Sequence, residues 1–222
     1  MSGRNSGRLL ALTVLALCLL GSGCARAAKL RDTAAAPEPL ISFIRPLEWQ
    51  TLGGRRPDVA VEEKGPGLFR IRATIELESP VQQDDWMVVV RPAFVPNLHW
   101  APHLSPSPEF IIDQHAFRSP ALVAASKTKV VALVPDLDIM KQGTPVRWYM
   151  DLDAGTNVLV LGMSDSRVEP GLFFARKPGA VYPAGRLEVG FWLVVSSDEA
   201  DVRDPWRKPL AFMWEKWGRP LF

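Results

Sequence analysis

The chain has 222 residues, 26 of them Lys or Arg and 24 Asp or Glu, and the surplus of +2 is accounted for by Arg4 and Arg8 at the extreme N-terminus. Beyond them the charges balance at 24 of each sign and are interspersed as on an ordinary solvated surface, which excludes the basic face a nucleic-acid binder needs. With 20 Pro, 16 Gly and 8 Trp, the composition suits a loop-rich β protein and opposes a helical bundle.

Met1 to Arg8 is basic without acids, Leu9 to Leu20 is almost unbroken apolar sequence, and Gly21-Ser22-Gly23-Cys24 follows in small residues. That order predicts a signal peptide over residues 1–24. Its apolar run falls short of the roughly 20 positions that a membrane span requires. Leu20-Gly21-Ser22-Gly23-Cys24 resembles a bacterial lipobox, although Gly21 stands where Leu is usual, and makes Cys24 the candidate lipidation site. Cleavage after Ala27 by ordinary signal peptidase is the competing outcome and gives a secreted protein without an anchor. Either way the chain is expected outside the cytoplasm, as a membrane-anchored lipoprotein in the first case. Cys18 and Cys24 are the two cysteines, so the folded part can hold neither a disulfide nor a cysteine-based zinc site.

Residues 25–38 are small, charged or Pro and read as a flexible tether. Residues 39–203 then read as strands. In Leu68 to Leu77 apolar residues alternate with Arg70, Arg72, Thr74 and Glu76, the period of a strand with one wet face. Val146 to Asp153 repeats it, with Val146, Trp148, Met150 and Leu152 inward and Arg147, Tyr149, Asp151 and Asp153 outward. Trp86 to Val90, Val130 to Val134 and Val158 to Leu161 lack polar alternation and read as strands covered on both faces. Leu187, Val189, Phe191, Leu193 and Val195 form an inner row in the last strand, and Asp153 to Asn157 is a hairpin connection in preference to a calcium loop. Many short strands with Gly and Pro turns predict an all-β fold: a two-layer antiparallel β-sandwich with a long Pro-rich loop and a short C-terminal helix.

That loop, Pro92 to Pro120, holds six prolines and all three histidines of the chain, His99, His103 and His115. Long irregular excursions of this kind are often functional. Its candidate ligand-binding set is Asn97, His99, Trp100, His103, Gln114, His115 and Arg118, with the Trp100 ring stacking on a sugar and the polar groups orienting it. The four-residue spacing of His99 and His103 suits a metal only on a helix, which the prolines oppose. A metalloenzyme or hydrolase built on the loop is thus the weaker option, and no metal or cofactor is assigned.

Residues 204–222 read as an amphipathic helix opened by Asp204-Pro205, or by Pro209, and closed by Gly218. Trp206, Leu210, Met213, Trp214 and Trp217 make one apolar face, which packs on the sandwich or docks a protein partner or a missing catalytic domain.

Arg91-Pro92-Ala93-Phe94-Val95-Pro96-Asn97, His99-Trp100-Ala101-Pro102-His103, Gln114 to Pro120 and Trp214 to Pro220 together resemble the N-terminal β-sandwich region of secreted bacterial six-hairpin glycosidase-like proteins. The resemblance implies a sandwich that packs on an α/α barrel and lends it a loop. The barrel, with its catalytic carboxylates, is not in this sequence, so no catalytic residue carries over. The resulting expectation is a non-catalytic, carbohydrate-associated module, a shortened relative or the front piece of a longer protein; the alternative is an assembly lipoprotein that binds a protein through its aromatic helix.

Overall fold

The computed structural model describes residues 38–101, 110–112, 121–141, 146–164, 173–175 and 179–219. The signal peptide, Cys24 and the tether lie outside the described residues. Two principal sheets form, both antiparallel. The smaller runs β1 (Glu48–Trp49), β5 (Asp85–Val90), β11 (Val158–Ser164), β10 (Arg147–Asp153). The larger runs β2 (Asp58–Gly65), β3 (Leu68–Leu77), β14 (Gly185–Ser196), β9 (Val130–Pro135), β8 (Leu122–Ala125), β6 (Leu98–Trp100). Two short ladders pair β4 (Val81–Gln82) with β13 (Val181–Tyr182) and β7 (Phe110–Ile112) with β12 (Phe173–Ala175), beside isolated antiparallel bridges of Ile44 with Pro92 and Leu52 with Arg55. Short helices α1 (Glu38–Ile41), α2 (Leu137–Met140), α3 (Glu199–Arg203) and α4 (Arg207–Met213) are attached.

The two sheets face each other across one core. Phe69, Ile71 and Ile75 of β3 and Leu187, Val189, Phe191, Leu193 and Val195 of β14 share a buried cluster with Trp86, Val88 and Val90 of β5, Trp148 and Met150 of β10, and Leu159 and Leu161 of β11. This is the predicted sandwich, and its register follows from the side-chain period of two: Phe191 pairs with Ile71, Leu193 with both Phe69 and Leu133. A slip by one residue would turn each row to the wrong side. Burying each large apolar side chain contributes about 1.5–3 kcal/mol against the entropy of ordering it.

The β10–β11 hairpin forms where the turn residues predict it. The Asp153 carboxylate accepts from the backbone N–H of Gly155 at 2.9 Å and of Thr156 at 3.2 Å and from the Thr156 hydroxyl, an Asx turn that replaces backbone bonds. The Thr156 hydroxyl, with the backbone donors, holds its carboxyl below the usual range. Asn157 takes the left-handed φ of 55° needed to re-enter the ladder.

Two expectations need correcting. Tyr149 points away from the core, as its parity demands, yet is fully buried. Its ring lies across Gly162, its direct partner on β11, between Met87 and Val160, and its hydroxyl donates to Met87 Sδ at 3.1 Å. A glycine opposite an aromatic lets the ring lie flat on the sheet, which alternation cannot reveal. In β5 only alternate residues are fully buried: Trp86, Val88 and Val90 are enclosed, while Met87 and Val89 are half-buried. By contrast, β9 is buried at every position.

A Cβ at residue 162 would meet Met87 Cβ at 2.6 Å, the Trp86 carbonyl oxygen at 2.9 Å and the Tyr149 ring at 3.0 Å. Because one of these is backbone, Gly162→Ala should cost about 1–3 kcal/mol in urea unfolding. Gly65→Ala, whose Cβ would meet nothing within 4 Å, should stay within about 0.5 kcal/mol of wild type.

Candidate functional site

The larger sheet has a second dry face. Val123 and Ala125 of β8, Val130, Ala132 and Val134 of β9, and Trp192 and Val194 of β14 point away from the sandwich interior and are buried nonetheless. Their cover is the C-terminal segment, from which Val202, Trp206, Phe212, Met213 and Trp217 pack on them. The segment begins earlier than Asp204-Pro205 suggests. Asp198 caps α3, its carboxylate accepting from the N–H groups of Ala200 at 2.9 Å and Asp201 at 3.3 Å, a standard stabilisation of free helix N–H groups. Asp204 instead accepts from Trp206 N–H at 3.2 Å in the break before α4. Pro209 fits the first turn of α4, where no intrahelical donor is needed. A π-helical turn, Trp214–Gly218, ends the described segment but for Arg219.

Polar ties fix this cover at three points. Asp201, nearly buried, accepts from Ser196 Oγ at 2.5 Å and Arg207 Nε at 2.8 Å. Lys208 Nζ donates to the carbonyls of Pro66 and Val195, both at 2.9 Å, and so grips the β2–β3 turn and the end of β14 together. Burial lowers the pKa of this ammonium. Asp138 of α2 receives Lys216 at 2.9 Å, Lys141 at 3.0 Å and Trp217 Nε1 at 3.2 Å. The hydrogen bonds from Lys216, then Lys141, hold its pKa at about 2 against an ordinary 3.8.

Aromatic contacts fill the seam between these ties. Trp100 and Trp206 meet edge to face with centroids 4.1 Å apart, Trp192 and Phe212 lie 5.0 Å apart, and Phe212 and Trp217 5.5 Å. The Trp192 ring also carries Lys216 at 5.1 Å and Arg70 at 5.5 Å, favourable for a cation over an aromatic face. Arg70 in turn pairs at 2.7 Å with the fully buried Asp136 that caps α2.

The expected single apolar face is therefore divided. Trp206, Met213 and Trp217 lie on the sheet, joined by Phe212, which the periodic reading missed. Leu210 and Trp214 are instead 48% and 51% exposed. The helix is rolled toward Phe212 and Lys216 because Trp192 offers one a ring and the other a π face, while Asp138 draws Lys216 inward. The capping sequence Asp198-Glu199-Ala200-Asp201 was the available signal for the earlier start.

Of the loop set, His99 lies in β6 with Nε2 2.9 Å from Asn157 Oδ1, a strut from the edge of the larger sheet to the hairpin of the smaller. Trp100, two residues C-terminal to the exposed Leu98, is the Trp206 neighbour already described. Asn97 is exposed and anchored through its N–H to Ala125 O at 2.8 Å. His103, Gln114, His115 and Arg118 lie outside the described residues. The structure thus joins Trp100 of the ligand set to Trp206 of the partner set. Among the described residues no cluster of three His, Cys, Asp or Glu side chains could hold a metal.

No protein-family model, curated protein or solved structure matches this chain.

The Asp138 tie gives a pH test. Its folded pKa is depressed, so its contribution is complete above the unfolded value and is lost as the pH falls toward 2. Asp138→Asn should cost about 1 kcal/mol at pH 7. In urea titrations the gap between variant and wild type should close as the pH falls from about 4 to about 2.

Proposed function

We propose that this chain is a non-enzymatic β-sandwich adaptor that holds a protein partner through the outward side of its C-terminal helix. One observation carries the reading: Leu210 is 48% exposed, with Trp214 at 51% one turn further along, on a segment whose Trp206, Phe212, Met213 and Trp217 pack on the sheet. Large apolar groups side by side on a surface mark interaction sites more often than isolated ones do, and an indole seated in a partner's pocket is a common energetic anchor. The underlying ties supply rigidity, so presenting the pair costs little ordering entropy on binding.

The sequence of residues 1–24 supports export, and Cys24 supports attachment to a membrane. Among the described residues no helix is long and apolar enough to cross one. An adaptor anchored in this way meets its partner at a surface outside the cytoplasm. The carbohydrate-associated reading asks the Trp100 ring for a free stacking face, whereas that ring is engaged with Trp206. For this reason the partner reading is preferred.

A photo-crosslinking residue at position 210, introduced in the native host, should give one discrete protein adduct that disappears with Trp214→Ser. That variant should remain cooperatively folded, with a melting temperature within about 5 °C of wild type. Absence of an adduct, together with glycan-array binding abolished by Trp100→Ala, would transfer the assignment to the carbohydrate reading.

A further inference from the structure

A second surface feature lies away from the helix. Phe94, Val95 and Asn97 of the segment before β6 and Ser126, Lys127 and Thr128 of the β8–β9 turn border a shallow, open cleft of about 390 Å³. The position of its two walls is fixed. The Asn97 N–H is bonded to Ala125 O at 2.8 Å, and Ser126 N–H to Lys129 O at 2.8 Å. Ser126 Oγ accepts from the N–H groups of Thr128 at 3.3 Å and Lys129 at 3.1 Å, so it is used up in shaping the turn. Lys129 is likewise committed, to Ser42 O at 2.7 Å and to the Phe43 ring.

The other lining groups are uncommitted. Among the described residues, the side chains of Asn97, Lys127 and Thr128 make no hydrogen bond or ion pair, and no acid lines the cleft. Val95 is 82% exposed, more than any other large apolar residue described, while Phe94 lies half-buried against the core as a floor. Among the described residues, the Lys127 ammonium, the Asn97 amide and the Thr128 hydroxyl therefore border a patch of plain hydrocarbon.

We infer that this cleft binds a small organic carboxylate with an apolar body and an amide group, the chemistry of an N-acylated apolar amino acid or of a peptide's C-terminal residue. Lys127 takes the carboxylate. The Asn97 amide pairs with the ligand amide, donating from its NH2 and accepting at its oxygen. Val95 and Phe94 take the apolar side chain, and Thr128 supplies a further hydrogen bond. An aliphatic Val95 and a half-buried Phe94 offer no broad open ring for a sugar to stack on, which favours an aliphatic ligand body. The site goes beyond the partner reading and does not depend on it.

The test uses the full mature chain, observed by amide chemical-shift perturbation. N-acetyl-leucine should cause saturable shifts confined to residues 94–97 and 126–128, with a dissociation constant on the order of millimolar, as one charge pair and one side chain allow. N-acetyl-leucinamide, which lacks the charge, and N-acetyl-glycine, which lacks the apolar body, should each bind about tenfold more weakly. Lys127→Ala and Val95→Ser, both at exposed positions, should reproduce those losses with an unchanged spectrum elsewhere. An acetyl-leucyl dipeptide distinguishes the sources: tighter binding than N-acetyl-leucine assigns a peptide terminus, equal binding a free acyl amino acid. Equal binding of the amide, no effect of Lys127→Ala, or stronger saturation by galacturonate would overturn the inference. Retained cleft binding in a Trp214→Ser variant separates this result from any outcome for the helix.

Discussion

The constraint on which the structure depends is that the middle of the larger sheet must be dry on both sides. β14 is buried at seven consecutive positions, Val189 to Val195, so its even- and odd-numbered residues need separate covers. The smaller sheet covers one row, Val189, Phe191, Leu193 and Val195. Nothing else in a two-layer sandwich would cover Trp192 and Val194. The C-terminal segment supplies that third layer, and its ties at Asp201, Lys208 and Asp138 are spread along its length, so it cannot peel from one end without breaking each in turn. The molecule is a sandwich with a helical strap over one outer face.

The interior of the sandwich was legible because it depends on a period of two. Leu68 to Leu77 and Arg186 to Ser196 state their inward rows directly, and the Asp153 to Asn157 turn declares its hairpin through residues that accept from backbone N–H groups and tolerate a positive φ. The outer face was only half legible. Continuous burial of Val130 to Val134 was evident from its composition, but composition does not name the element that supplies the second cover. Tyr149 was misplaced because its burial depends on a glycine on a different strand, a pairing that the sequence of its own strand does not contain.

The helix shows the same boundary between local and tertiary information. Periodicity located the apolar residues but not their rotation, which is set by contacts that reach far along the chain: Phe212 with Trp192, and Lys216 and Trp217 with Asp138. Rolling the helix by part of a turn exchanged Leu210 and Trp214 for Phe212 and Lys216. The same roll separates the residues that hold the strap down from Leu210 and Trp214, which stay about half-exposed, and so links the packing to the proposed function. For the Pro-rich loop, His99 and Trp100 proved to be strand residues engaged with the hairpin and the strap, so the residues expected to recognise a ligand contribute first to joining layers.

Removing the strap tests this account most directly. A chain ending at Ser197 should lose hydrogen-exchange protection in β8 and β9 and bind a hydrophobic dye at the uncovered Trp192 face, or fail to fold cooperatively. A truncated chain that melts within about 2 °C of the intact protein and keeps full protection over residues 122–134 would show that the outer face needs no cover, contradicting the three-layer account.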